Sequence, residues 1–301
     1  DIIEKMIWHY NEPFADSSAI ATFYVSQIAK KKVTVVLNGD GGDENFLGYP
    51  RYERCLTYEK FRNLPIFLKK LNSKIAKNIP NRLDKYKLSK FIRRNLNNLG
   101  TQNASTYAPS IIYFSDEDKI AGYDEKMKDY LEVSSISRLE KFFSQYSSYV
   151  AGAAYADIHT YLPDDLLVKV DIASMAFGLE ARSPFLDHGL MEWAANIPQE
   201  QKMHNSQPKY LLKKVMEPYL PREIIYRPKM GFGVPIDKWL RNELKEFAYD
   251  TLLSSKAKNR SIINPKYIEN LLDEHINQNR AHHTRIWALL MLEIWFKVWI
   301  D

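Results

Sequence analysis

The 301-residue chain contains one cysteine, Cys55, so no disulfide can form within it and a reducing, cytoplasmic setting fits. It shows no signal peptide, no internal repeat and no low-complexity tract. Its longest apolar run, residues 286–300, is broken by Glu293 and Lys297 and falls short of a bilayer span. That run reads instead as a buried terminal helix, with Trp287, Leu290, Ile294 and Trp295 in the core. An excess of one charge is nearly absent. Against 37 acids stand 42 lysines and arginines, a net +5 that admits an anionic substrate without pointing to one. With 45% hydrophobic and 26% charged residues, the composition is that of a soluble globular protein of one large domain or two small ones. The opening, "DIIEKMIWHYNEPFADSSAI", has no initiator methionine and enters at once what reads as a domain interior, so an upstream segment is expected.

The most informative stretch is "VTVVLNGDGGDENFLGYPRY", from Val33 to Tyr52. Val33 to Leu37 is continuous and β-branched, which predicts a strand buried on both faces, as in a parallel sheet. Ahead of it, Ile20, Phe23, Tyr24 and Ile28 fall at helical spacing, and Lys30, Lys31 and Lys32 close that helix at its negative end. A helix, a strand and then a glycine-rich turn at the strand's carboxyl end is where open α/β sheets bind ligands. Gly39, Gly41 and Gly42 permit tight turns and close approach, while Asp40, Asp43 and Glu44 place carboxylates there. Carboxylates in a phosphate site suit a Mg²⁺ shared with the substrate.

Residues 60–99 carry twelve lysines and arginines against one acid, Asp84, interleaved with Phe61, Phe67, Leu71, Ile75 and Tyr86. No nucleic-acid motif accompanies them, so the run reads as the solvated face of a basic helical insertion within residues 60–135. From Ser137 onward the pattern is mostly helical. One helix is expected to run to about Leu162 and stop at Pro163; Asp164 or Asp165 then caps a second, which carries Leu167, Val170 and Met175 and ends near Gly178. Asp187 caps another, Tyr210 to Met216 forms a short one, and Tyr226 to Pro235 reads as a loop.

Five blocks together resemble the synthetase domain of glutamine-dependent asparagine synthetases. They are "VVLNGDGGDENFLGYPRY", "YLPDDLLVKVDIASMAFGLEARSPFLDHGL", "PKYLLKK", "YRPKMGFGVPIDKWL" and "RIWALLMLEIWFKVW", in the family's order. The resemblance implies an α/β fold of the adenine-nucleotide alpha-hydrolase-like, ATP-pyrophosphatase type: a remnant of a parallel sheet with a large, mostly helical remainder. It also implies one synthetase domain over residues 1–301, without the family's glutaminase domain. The implied reaction is activation of a carboxylate, first of all the aspartate side chain, by ATP and Mg²⁺ as an acyl-adenylate. Pyrophosphate leaves, and ammonia derived from glutamine attacks to give the amide. Carried over residue by residue, Asp40 stands beside the adenylate and incoming amine as a catalytic residue. Asp43 holds Mg²⁺ and pyrophosphate, with Gly39 in the nucleotide site. Lys209 and Lys229 meet the phosphates, and Lys229 is also catalytic. For Asp171, Glu180 and Arg182 two readings stand, a buried ion-pair network near the site and direct contact with the substrate. The implied partners are small molecules, with neither a membrane nor a nucleic acid.

The chain departs from the family pattern in four places. The N-terminal nucleophilic cysteine of the glutaminase is not Cys55, and the Ser-Gly-Gly-x-Asp-Ser phosphate loop of the first strand is absent. These two losses read as truncation, so the chain alone is expected to be inactive. Asn11 replaces an expected acid and Ile172 an expected arginine, which a different acceptor would explain. Two rivals therefore stand beside the main reading. One is an amidotransferase acting on a sugar or peptide carboxylate; the other is a non-catalytic nucleotide-binding scaffold.

Overall fold

A computed structural model describes residues 2–60, 104–228 and 231–301. Most of the basic run, and Lys229 in the loop after Tyr226, lie outside the described residues. The rest is a mostly helical α/β structure with a small parallel sheet. Helix α1, Ile2–Tyr10, and helix α2, Ala19–Lys30, precede strand β1, Val35–Leu37. Strand β2, Glu180–Arg182, pairs in parallel with β1, Val35 opposite Glu180 and Leu37 opposite Arg182.

The apolar residues of the described chain gather in two cores. The first is built on the terminal helix His283–Trp299, whose Trp287, Leu290 and Ile294 pack with Ile7 of α1 and Phe23 of α2. Trp295 is only half-buried and donates through Nε1 to the Asn11 carbonyl at 3.2 Å. The second core is aromatic. Tyr52, Cys55 and Tyr58 of helix α4, Pro50–Lys60, meet Tyr107, Phe143, Tyr149 and Ala153.

Two expectations fail here, each for a physical reason. β1 is a strand but is not buried: Val35 is 37% exposed and Leu37 73%. A β-branched run encodes extended backbone, whereas burial on both faces also requires layers on both, and among the described residues β1 pairs only with β2. Both expected helices form; α2 buries Ile20 and Phe23 and leaves Tyr24 and Ile28 exposed, and Met175 of the later helix is exposed as well. Pro163 does not end its helix. The helix Tyr149–His159 ends at Thr160, whose φ −135° and ψ −74° are not helical, and a π-helical segment, Leu162–Leu167, then carries Pro163 into the helix Val168–Met175. Proline sits in the first turn of that π segment, where its missing N–H costs little, so neither Asp164 nor Asp165 acts as a cap.

Other local readings hold. Asp187 accepts from the Leu190 N–H at 3.0 Å and caps its helix, the helix Tyr210–Met216 forms over the expected residues, and Gly178 turns the chain at φ 65°. The two substituted positions also find local reasons. Asn11 ends α1 with φ 60°, a left-handed conformation that asparagine tolerates and β-branched residues avoid. Ile172 packs against the first core, where an apolar side chain is at home.

Candidate active site

The glycine-rich turn leaves the carboxyl end of β1 and folds into a single helical turn, α3, Gly42–Asn45. Gly41 adopts φ 85°, and a Cβ there would collide with Leu186, so glycine is required on both counts. Gly39 is different: a Cβ would meet nothing within 4 Å, so packing within the described chain does not require glycine there. The turn is pinned to the segment after β2. Asn45 Nδ2 donates to the Phe185 carbonyl at 2.7 Å, and Ser183 Oγ donates to Asn38 Oδ1.

Asp43 and Lys209, 166 positions apart, meet on this turn with Nζ–Oδ1 at 3.0 Å and side chains 21% and 27% exposed. Lys209 precedes its helix with φ 55°, and its N–H donates to the Phe46 carbonyl at 3.1 Å. That backbone bond fixes the root of the side chain beside α3. Gly48 completes the arrangement, since a Cβ at that position would strike both Asp43 Oδ1 and Lys209 Cε.

Asp40 lies at the mouth of the turn, its N–H donating to Asn38 Oδ1 at 3.3 Å. Its Oδ2 is buried without a hydrogen-bond partner. Burial raises its carboxyl above the usual range; the Lys169 ammonium opposes the rise and the Asp43 charge adds to it. Glu44 is raised as well, chiefly by burial, while it accepts from the Tyr49 hydroxyl at 2.7 Å.

Sequence reasoning missed two neighbouring networks. In the first, Asp157 Oδ2 accepts from Tyr52 at 2.6 Å, Tyr107 at 2.5 Å and Arg51 Nη2 at 2.9 Å. The Arg51 guanidinium also covers the Tyr49 and Tyr161 rings at 3.9 and 4.5 Å. A usable signal was an aspartate in the otherwise apolar helix "YVAGAAYADIH". In the second, Lys169 meets Asp16 at 2.7 Å, with Asp165 alongside. Burial, together with the Asp16 charge, pushes Asp165 up to about 7. Burial raises Asp16 too, but Lys169 and the Ser18 hydrogen bonds outweigh it and leave it below the ordinary value. Arg51, Asp16 and Asp165, with Glu12, Tyr113 and Tyr161, line a cleft of about 370 Å³.

The expected network of Asp171, Glu180 and Arg182 is not buried. Glu180 and Arg182 pair at 2.7 Å on the outside of β2, 53% and 62% exposed, and Asp171 is exposed. The burial inferred for them presumed a covered sheet, and β2 is as open as β1.

The asparagine synthase family model matches residues 1–297. The chain belongs to the asparagine synthase family. It is 33% identical over 301 residues to the glutamine-hydrolyzing asparagine synthetase 1 of Bacillus subtilis (strain 168), covering 99% of this chain and 46% of that protein. A putative asparagine synthetase of Mycobacterium tuberculosis (strain H37Rv) is 31% identical over 300 residues, covering 99% and 44%. The asparagine synthetase of Mesocricetus auratus is 26% identical over 226 residues, covering 72% and 35%. The chain thus spans less than half the length of these family members. No solved structure matches it.

Proposed function

We infer that the chain serves as the synthetase part of an amide-forming ligase of the ATP-pyrophosphatase type. ATP activates the aspartate side chain as an acyl-adenylate, pyrophosphate departs, and ammonia from glutamine attacks to give asparagine. The observation that carries this reading is the Asp43–Lys209 pair closing on the glycine-rich turn at the end of β1. A lysine is a compact charge on a flexible stem, able to leave a carboxylate for a phosphate as negative charge grows on the leaving group. Gly39, where an added Cβ would meet nothing, leaves room for the nucleotide.

The donor set suits a Mg²⁺ shared with phosphates. Among the described residues no group of three acids, histidines or cysteines could hold a metal alone, and Asp43 offers one carboxylate at the turn. Mg²⁺ binds through one or two carboxylates, with substrate phosphates and water completing its shell. Once bound, it would neutralise charge on the phosphate oxygens. In this reading Asp40, half-buried and raised, takes or orients a proton of the attacking amine. Lys229, outside the described residues, keeps the phosphate-facing and catalytic role that the family resemblance gives it.

The test uses the whole protein that contains this chain, supplied with ATP, Mg²⁺, aspartate and glutamine. Asp43→Asn, Lys209→Ala and Lys229→Ala are each expected to lower turnover by about a hundredfold or more, as loss of a charge-stabilising group does. Lys229→Arg is expected to rescue little. Parental rates in all three would refute the reading, and turnover with a sugar or peptide carboxylate but not aspartate would reassign the acceptor.

A further inference from the structure

The helix Pro265–Ile276 and the terminal helix His283–Trp299 are joined at a corner crowded with histidines. His275 has none of its side chain exposed. Its Nδ1 accepts the His282 N–H at 3.3 Å, which places the proton of the neutral ring on Nε2. Nε2 is buried, and among the described residues nothing accepts from it. Asp237, in the helix Ile236–Arg241, brings Oδ1 to 3.9 Å from His275 Nδ1 and 3.4 Å from His283 Nδ1. His282 Nε2 lies 2.7 Å from Glu274 Oε2. Arg241 pairs with Asp237 at 3.0 Å and donates through Nη1 to the His275 carbonyl. The charged groups of the other helices packed here are spent elsewhere: Tyr249 donates to Asp273 at 2.7 Å, and Asp118 accepts from Tyr267 at 3.3 Å.

Two states compete for one nitrogen. Nδ1 can receive the His282 amide only while it carries no proton; once protonated it is a donor, and the amide must leave. Asp237 Oδ1 then stands at 3.9 Å, on a side chain 49% exposed that can turn toward the ring. We propose that His275, the His282 amide and Asp237 form a proton-operated latch: a neutral ring holds the corner shut, and a protonated ring drops the amide and turns to the carboxylate. Burial and the Arg241 charge hold the ring down to about 4, with His283 and His282 adding to them and Asp237 opposing. A histidine held below its ordinary value of 6.5 takes a proton more readily once the corner opens. Closure is therefore strongest above 6.5 and weakens as pH falls toward about 4. The helix that carries Asp237 follows directly on residues 226–235, so the latch sits at the anchor of that loop.

Hydrogen exchange of the whole protein tests this, read by mass spectrometry on residues 277–283 and corrected for the intrinsic effect of pH. Protection of that segment is expected to fall by about tenfold or more between about pH 7 and about pH 5. His275→Gln keeps an acceptor for the amide but does not titrate in this range, so its protection should hold at both values. Asp237→Asn removes the carboxylate to which the charged ring turns, so its loss of protection should move to lower pH. Equal protection of the parent at both values overturns the proposal, as does a His275→Gln that loses protection as the parent does. Should that variant not fold, Asp237→Asn decides: a profile that follows the parent's, or one loosened equally at both values, overturns the latch.

Discussion

The two buried carboxylate networks beside the turn are built on opposite plans. Asp157 is fully buried and its Oδ2 takes two tyrosine hydroxyls and an arginine, all within the aromatic core. Asp16 and Asp165 instead share one lysine at the wall of an open cleft, leaving one carboxyl more than the ammonium can match. The first network gathers its donors on Oδ2, leaving Oδ1 buried without a hydrogen-bond partner, and ties helix α4 to the helix Tyr149–His159. The second remains unbalanced and can respond to pH or to a neighbouring charge. A buried acid therefore says little about function until its partners are counted.

The largest expected effect tests the Asp157 network. Asp157→Asn leaves the Arg51 guanidinium buried without its counter-charge, which costs about 3–5 kcal/mol when one partner of a buried pair is removed. Urea denaturation would show it as a lowered midpoint; an unchanged midpoint would mean that Arg51 finds water or another acid. The open network should respond to pH. The Asp165 carboxyl is raised to about 7 in the folded chain, against an ordinary value near 3.8. A raised carboxyl contributes its stability below the unfolded value and loses it as pH climbs through the folded one, so the decline falls between about pH 4 and 7. Asp16, which is lowered, acts in the opposite sense and loses its contribution only as pH drops below about 4. Asp165→Asn should match the parent only below about pH 4 and exceed it by about 2–4 kcal/mol at pH 8 in parallel urea titrations. The smallest effect is expected at the exposed pair on β2. Glu180→Gln should leave the urea midpoint where it is, since solvent already screens that charge from Arg182.

What could be read in advance was local. The extended run ending at Leu37, the cap at Asp187 and the helix Tyr210–Met216 depend on residues close in sequence, and these form where expected. The meeting of Asp43 with Lys209 followed only from the order of the family's blocks, because no local pattern links positions 166 apart. Burial was the weak point. Val35, Leu37, Tyr24 and Ile28 have apolar side chains, but whether they face a layer depends on chain elsewhere. The same holds in reverse for Asp157, a polar residue whose partners Tyr52 and Tyr107 lie 105 and 50 positions away. Pro163 shows a third limit: the break falls earlier, at Thr160, and the proline sits in the first turn of the next helical segment.

Cys55 sits beside Tyr52 and Tyr58 in the aromatic core, 2% exposed, and burial lifts its thiol far above the ordinary value. Alkylating reagents attack the thiolate, so in the folded chain this sulfur is doubly protected, by access and by protonation. With no second cysteine among these 301 residues, the rate at which a maleimide marks this chain becomes a clock for the opening of that core. The chain carries its own unfolding reporter, and no label need be engineered in to read it.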